Sequence, residues 1–209
     1  MTVPVGITIV ESESSEFPQS LRNGMVSTCT PRIWAIGNLG ILERRLLGFF
    51  CSTRCPGDVI LRTYDLARAL REAGVAVIGG FHSPMEKECL DLLLRGNQPV
   101  VICPARSIEY LRLPTAWQKP LAEDRLLVLS PFEAKHRRLT AELAESRNRF
   151  VAAIADQIFV AHASSGSKTE QFCSEFLNKG KRVLTLQLDQ NRHLLEAGVE
   201  TFSLLKSSS

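Results

Sequence analysis

The segment SRNRFVAAIADQIFVAHASSGSKTE, from Ser146 to Glu170, contains a pattern of helix, strand, loop and helix. Its first half has the apolar spacing of a helix, Gln157 to Ala161 is typical of a short buried strand, and small polar residues then lead into another helix. In open α/β sheets, the loop between a strand and the following helix is where backbone N–H groups bind anions. The order of these elements therefore predicts an anion site after the strand.

Two groups of residues in this stretch are suited to phosphate. Arg147 and Arg149, with Asn148 between them, precede the strand, and arginine presents a planar fork of donors that matches phosphate. The loop after the strand offers small residues and one lysine: Ser164, Ser165, Gly166, Ser167 and Lys168. We predict that both groups contact phosphate. The alternative for the arginines is a solvated helix face, and the alternative for the loop is a turn without a ligand.

Outward from this stretch, short apolar runs alternate with helical patterns. Leu46 to Cys51 is a continuous apolar run, which predicts a first central strand buried on both faces. Ser83, Pro84 and Glu86 have the spacing of a capping box at a helix start. Further strands are predicted at Val75–Ile78, Pro99–Cys103, Leu126–Leu129, Arg182–Leu186 and Glu200–Leu205. The alternation predicts an α/β fold with a doubly wound, mainly parallel sheet and helices on both faces.

The ends of the chain differ from this pattern. We expect residues 1–29 to form a loosely ordered leader with one strand at Gly6 to Val10. We expect residues 30–205 to form the folded domain and residues 206–209 to form a disordered tail. Three prolines interrupt the segment from Pro104 to Pro120, where we expect one helical turn.

Composition limits the class of protein. A chain of 209 residues with a net charge of +3 is too weakly basic to coat nucleic acid through overall charge, so any such contact needs a local cluster. No apolar stretch approaches the ~18 residues of a membrane helix, and we expect a cytoplasmic protein that does not contact membrane. Six cysteines without a regular framework predict reduced thiols, and Cys51 and Cys55 lack the further ligands that a metal site requires.

Two other strand ends carry candidate binding residues. Ser52, Thr53 and Arg54 follow the first central strand, where doubly wound folds place a phosphate loop, and Gly79 and Gly80 follow the second. The glycine fingerprint of dinucleotide binding, GxGxxG, is absent from the sequence, which argues against a nicotinamide enzyme.

Catalytic groups are less well supported than binding groups. His82 is a candidate general base, but a histidine at a helix start is the simpler interpretation. A Ser-His-Asp set cannot be assembled around the loop from Ser164 to Lys168, which we call the serine loop. Arg137 and Arg138, next to His136, form a second basic cluster, for which phosphate contact and a solvated helix face are equally supported. The pattern favours binding over catalysis and predicts neither a cofactor nor a metal.

These motifs resemble those of the DprA/Smf family of DNA-processing proteins. The family has an extended Rossmann-like core with a Gly-Ser-Arg loop, a Ser-Gly-Leu-Ala turn, an Arg-Asn-Arg helix start and a Ser-Gly-Ser loop. In this chain, Ser52 to Arg54 replace the first motif, and the segment GGFHSPMEKECLDLLLRG replaces the second and its helix. The stretch from Ser146 to Glu170 matches the last two motifs closely, and the likeness spans roughly residues 30 to 188.

The resemblance implies a function and partners. Members of the family bind single-stranded DNA in a positive pocket at the carboxyl ends of the strands and act in DNA processing, recombination or uptake, without established catalysis. The resemblance also implies a RecA-type recombinase as partner, and a homodimer. Phe81 and Phe132 are candidates for stacking with bases.

Two other functions stay open. The same fold occurs in nucleotide-derivative sensors and in lysine-decarboxylase-like phosphoribohydrolases, whose loop Gly-Gly-x-Gly-Thr-x-x-Glu is loosely similar to Gly166, Thr169 and Glu170. The protein would then bind one nucleotide. A domain that binds a protein partner, with a vestigial anion pocket, is the third possibility.

Overall fold

A computed structural model describes residues 6–22 and 31–203 of the chain. Nine strands form one sheet. They are β1 (Thr8–Glu11), β2 (Arg32–Gly37), β3 (Leu46–Phe50), β4 (Ala76–Gly79), β5 (Val100–Ile102), β6 (Leu126–Ser130), β7 (Gln157–Val160), β8 (Arg182–Thr185) and β9 (Glu200–Thr201). The helices are α1 (Gln19–Arg22), α2 (Gly57–Glu72), α3 (Pro84–Leu94), α4 (Thr115–Ala122), α5 (Ala141–Ile154), α6 (Lys168–Asn178) and α7 (Arg192–Glu196). Two 3-10 turns cover Leu39–Glu43 and Asp189–Asn191.

The strand order confirms the predicted doubly wound sheet. It runs β1-β2-β6-β5-β4-β3-β7-β8-β9, and only the pairs β1·β2 and β2·β6 are antiparallel within the described sheet. The chain progresses from β3 through β4 and β5 to β6 on one side, then returns to place β7 on the other side of β3. The order of strands therefore reverses between β3 and β7, and such a switch point opens a crevice at the carboxyl ends of the two strands.

The centre of the sheet is buried as its apolar sequence predicts. Every residue of β3 is buried, and its register with β4 and β7 places Phe49 against Gly79 and Phe159. Gly48 allows α5 to pack closely on this strand, because a Cβ at that position would lie 3.1 Å from the Cβ of Ala155. The strand that leads to the switch point is thus fixed by helices on both faces.

Local signals set the start of α3 and the form of the irregular segment. The Ser83 hydroxyl accepts from Glu86 N and the Glu86 carboxylate accepts from Ser83 N, so the predicted capping box is confirmed. The segment predicted to hold one helical turn instead carries the two turns of α4. Pro120 lies inside that helix, near its end.

The first described residues take part in the sheet. β1 pairs with β2 at the edge, and Val10 and Phe17 are buried in the core. Residues 1–5 and 23–29 of the predicted leader, and the predicted tail at 206–209, lie outside the described residues. In the described part of the chain, none of the helices has the length and apolar character needed to cross a membrane.

Candidate functional site

The predicted site residues come together at one edge of the sheet. β4, β3 and β7 are neighbours, so the loops that carry Ser52 to Arg54, Gly79 to Gly80 and Ser164 to Lys168 meet at their carboxyl ends. The loops after β5 and β6 join this edge, because those strands continue the sheet beyond β4. Two separate depressions lie along the edge.

The first depression, which we call the switch-point pocket, lies between α5 and α6 beside the end of β3 and has a volume of about 340 Å³. Its charged lining residues are Glu86, Glu145, Arg149, Lys168 and Glu175. Asn148 also lines it. Three carboxylates therefore face two cations, so this pocket has little net attraction for phosphate.

Both cations of the switch-point pocket are already paired. Arg149 Nε lies 3.0 Å from the Glu175 carboxylate, and Lys168 forms an ion pair with Glu145. The hydrogen bond from Lys168 holds the pKa of Glu145 below its ordinary value. Burial acts to raise the pKa of Glu175, but hydrogen bonds from Lys179 and Arg149 outweigh it and leave that pKa lowered. These carboxylates are charged at neutral pH and compete with any incoming anion.

The serine loop is also occupied by a side chain of this protein. Gly166 N donates to the Glu170 carboxylate at 2.6 Å, which is the contact that a phosphate was expected to make. Ser167 is the N-cap of α6, since its hydroxyl accepts from Glu170 N. Ser165 and Gly166 are exposed and Ser164 is half-buried. Gly166 has φ +73°, so the turn itself requires glycine.

Glu86 ties the loops after β3 and β4 together. One of its oxygens accepts from Cys51 N at 2.9 Å, and the other accepts from His82 N and Ser83 N. Ser52 N donates to the His162 carbonyl, so the first amides of the predicted phosphate loop are engaged. Glu86 therefore does more than cap α3, a role that its sequence position alone did not indicate.

Two members of the predicted phosphate loop remain accessible. Thr53 and Arg54 are exposed after β3, whereas Ser52 is buried. The Ser52 hydroxyl has no hydrogen-bond partner among the described residues. The structure thus leaves the Arg54 guanidinium available to an anion, outside both depressions.

Arg147 is buried beneath the loop after β4. Its side chain donates to the Cys103 carbonyl at 3.0 Å through Nη1 and to Asn148 Oδ1 at 2.8 Å through Nε. Nη2 has no hydrogen-bond partner in the described part of the chain. Burial lowers the pKa of Arg147, yet a guanidinium remains charged at neutral pH. The charge of the Glu86 carboxylate acts to raise that pKa, but Arg147 forms no ion pair with a described residue.

Gly80 makes room for that guanidinium. A Cβ built on Gly80 would lie 1.4 Å from Arg147 Nη1, so the glycine is required by close approach of a side chain. The residue with a left-handed backbone in this turn is Phe81, at φ 46°. The space that Gly79 and Gly80 were expected to provide for a turn or a ligand is therefore filled here by an arginine of this chain.

The second depression, which we call the arginine groove, lies beside the ends of β4 and β5 and has a volume of about 490 Å³. Its basic lining residues are His82, Arg106, Arg137, Arg138 and Arg147. No aspartate or glutamate is among the described residues that line it. Arg106, Arg137 and Arg138 are exposed, and none of them forms an ion pair with a described residue.

Hydrogen bonds fix the two loops that carry these arginines. Ser107 N donates to the His136 carbonyl at 2.8 Å, which joins the loop after β5 to the loop after β6. The buried Ser130 hydroxyl donates to the Arg106 carbonyl at 2.8 Å and accepts from Phe132 N. The exposed guanidinium groups therefore project from a cross-linked base.

The aromatic residues differ from expectation. Phe81 and Phe132 are buried, at 5% and 6% exposure, so neither offers a face for a base and both predictions are wrong. Tyr110 is 67% exposed and lies next to the groove. Sequence reasoning missed it because nothing in an irregular segment distinguishes an exposed aromatic residue from a core one.

Apart from Cys51 and Cys55, the described cysteines and histidines lie at separate positions in the structure. Among the described residues, no cluster of three or more histidine, cysteine, aspartate or glutamate side chains could hold a metal ion. Cys51 is buried, and a hydrogen bond with Cys55 together with burial raises the pKa of its thiol far above the ordinary value. His82 is exposed at the groove.

Comparison with solved structures shows the same fold in DNA-processing proteins. The structure of DNA processing protein A from Streptococcus pneumoniae aligns with a TM-score of 0.76 and 16% identity, over 94% of this chain and 71% of that one. The Helicobacter pylori protein, described with a unique single-stranded DNA binding mode, aligns with a TM-score of 0.74 and 17% identity, over 95% and 91%. The molybdenum cofactor binding protein of Rippkaea orientalis aligns less well, with a TM-score of 0.53 and 12% identity, over 77% and 90%.

Sequence comparison identifies the family. No curated protein sequence matches the chain significantly. The sequence model of the family described as DNA recombination-mediator protein A matches residues 8–202. Because this match covers nearly the whole chain, the protein belongs to the DNA recombination-mediator protein A family.

Proposed function

We propose that this protein binds single-stranded DNA during DNA processing, with the phosphate backbone held in the arginine groove. The observation that carries the proposal is the charge of the groove: four arginines line it without a carboxylate among its described residues. Phosphates of a nucleic acid interact favourably with such a surface, and part of the favourable free energy comes from the release of counterions.

The arginines have distinct positions in this proposal. Arg106, Arg137 and Arg138 are exposed on the rim and offer forked donors to successive phosphates. Arg147 forms the floor, where its charge, offset in part by the nearby Glu86 carboxylate, acts over a short distance in a partly dehydrated environment. The floor cation is held in place by Cys103 and Asn148, so it does not have to be ordered when DNA binds.

The switch-point pocket contributes less to DNA binding than the arginine groove in this proposal. Arg149 and Lys168 must exchange an intramolecular carboxylate for a phosphate, so their net contribution to DNA affinity is small. Arg54 is exposed without such a competitor among the described residues and extends the basic surface past β3. Membership of the family supports this proposal, as does the single-stranded DNA binding described for the Helicobacter pylori protein.

The proposal is tested by binding of labelled oligodeoxynucleotides of increasing length across a salt series. The variant Arg137→Ala/Arg138→Ala should weaken binding by about tenfold or more and reduce the salt slope by about 1.4, because each lost phosphate contact of a single strand removes about 0.7. The matched control is Arg44→Ala/Arg45→Ala, a pair of exposed arginines that directly precedes β3 at the opposite edge of the sheet. It removes the same charge and should leave the slope unchanged.

Two results would overturn the proposal. Equal effects of the two double variants would show that overall charge, not the groove, attracts the strand. A mononucleotide that binds as tightly as a long strand, with a shallow salt slope, would instead support the nucleotide-binding alternative, for which the switch-point pocket is the candidate site.

Two further expectations concern partners. Partnership with a RecA-type recombinase and formation of a homodimer follow from the family resemblance and stay predictions. Co-sedimentation with recombinase filaments and analytical ultracentrifugation measure them directly.

A further inference from the structure

We infer that Tyr110, backed by Arg137, is a stacking platform for a nucleobase at the rim of the arginine groove. The inference rests on the proposed function, because it assigns the base-contacting element of the same strand-binding site. It also replaces the two phenylalanines that sequence reasoning proposed for this role.

Exposure is the first observation. Tyr110 is 67% exposed, whereas Phe81 and Phe132 are 5% and 6% exposed. Tyrosine is enriched at binding interfaces, because its ring offers a large apolar face beside a polar hydroxyl. A base of a single strand fits such a face, since every base has a flat π-face.

The position of the ring is the second observation. The Arg137 guanidinium carbon lies 4.6 Å from the centre of the Tyr110 ring, so one face carries the cation and the remaining surface stays open. Arg137 also lines the arginine groove, as does Leu111, the residue after Tyr110. One arginine thus connects the ring with the surface proposed for phosphate.

Rigidity is the third observation. The turn that carries Tyr110 is anchored by Ile108, which is fully buried, and by the bond from Ser107 N to the His136 carbonyl. Leu111 N donates to the Ile108 carbonyl and closes the turn. Since the backbone is fixed and the ring is held by Arg137, stacking costs little conformational entropy.

These observations define what the site recognises. The Arg137 guanidinium offers donors to a phosphate while its cation lies over the ring, and the adjacent base of the same strand lies on the open side of Tyr110. The platform binds bases of any sequence, because stacking does not read hydrogen-bonding edges. It distinguishes unpaired strands from duplex, in which the faces of the bases are already stacked.

The test compares Tyr110→Ala and Tyr110→Phe on two strands of equal length, one with bases and one abasic. Tyr110→Ala should bind the base-bearing strand about tenfold more weakly, with an unchanged salt slope, and Tyr110→Phe should bind like wild type. On the abasic strand, all three proteins should bind equally. Leu61→Ala is the matched control, because Leu61 is 66% exposed on α2 and does not line the groove.

Each contrary outcome has a separate meaning. If Tyr110→Ala binds the base-bearing strand like wild type while Arg137→Ala/Arg138→Ala does not, the stacking inference fails and the proposed function stands. If Tyr110→Ala loses as much affinity on the abasic strand, the ring acts only by holding Arg137, and stacking is again refuted. If wild type binds neither strand, the proposed function fails and the inference fails with it.

Discussion

The arginine groove and the switch-point pocket lie side by side at the same edge of one sheet, yet their charges are organised in opposite ways. In the pocket, Arg149 and Lys168 are each paired with a glutamate, and the serine-loop amide is taken by Glu170. In the groove, the described lining contains arginines without carboxylates. We conclude that the topology of the sheet determines the edge where ligands bind, whereas the pairing of charges determines which depression at that edge attracts an anion.

Gly80→Ala tests the floor of the groove and has the largest expected effect on stability. The new methyl group would displace the buried Arg147 guanidinium and break its hydrogen bond to the Cys103 carbonyl, so the variant should lose about 1 to 3 kcal/mol in free energy of unfolding. Gly57→Ala is the control, because its Cβ meets nothing within 4 Å. Chemical denaturation measures both.

A double-mutant cycle separates this clash from other causes. In an Arg147→Ala background the space beside residue 80 is free, so Gly80→Ala should cost far less there than in wild type. Equal costs in both backgrounds would contradict the assigned contact between Gly80 and Arg147.

Ser130→Ala tests the hydrogen bonds that fix the loops at the base of the arginine groove. Without the buried hydroxyl, the Arg106 carbonyl and Phe132 N lose their partner, which should lower the free energy of unfolding by about 1 to 2 kcal/mol. The freed loop should also weaken binding of single-stranded DNA a fewfold, while Ser165→Ala, at an exposed position of the serine loop, should change neither quantity. Unchanged DNA affinity in Ser130→Ala would show that the loops do not need this cross-link.

Glu145→Gln/Glu175→Gln tests the pocket and has the smallest expected effect. Removing the two carboxylates frees Lys168 and Arg149, so affinity for single-stranded DNA should rise by about two- to fivefold. Glu123→Gln/Glu200→Gln removes two ion-paired carboxylates that line neither depression and controls for overall charge. An equal rise in the control would mean that pairing inside the pocket has no specific effect.

A fall in pH should break the ion pair between Lys168 and Glu145. The folded-state pKa of Glu145 is lowered by Lys168, so the stabilisation from this ion pair is present above the unfolded pKa and is lost as pH falls through the folded one. Lys168 is released only in that acidic range. A pH titration of DNA binding with Glu145→Gln as reference measures the release, which should be absent in the variant.

The sequence was sufficient for the sheet and for the edge that carries the site. The apolar run from Leu46 to Cys51 and the capping box at Ser83 predicted elements that the structure contains, because each depends on neighbouring residues alone. Gly80 was predicted to allow a sharp turn or the approach of a ligand, whereas the structure places the Arg147 guanidinium beside it. This approach of Arg147 from α5 involves residues too distant in the chain for spacing to show.

The distribution of charge could not be predicted in the same way. Arg147 and Arg149 are two residues apart on one helix, yet one is buried beneath the groove and the other pairs with Glu175. Arg106 and Arg137 belong to loops joined through Ser107 and its long-range hydrogen bond. Such pairings follow from tertiary contacts, so the sequence located the cations without showing which of them are free.

Whether single-stranded DNA binds in the arginine groove is tested most directly by the salt dependence of its binding to two double variants measured together. Arg137→Ala/Arg138→Ala removes two cations from the groove, and Arg149→Ala/Lys168→Ala removes two from the switch-point pocket. If DNA binds in the arginine groove, the salt slope should fall by about 1.4 in the first variant and stay nearly unchanged in the second. A reduced slope in the second with an unchanged slope in the first would place the DNA in the switch-point pocket and refute binding in the arginine groove.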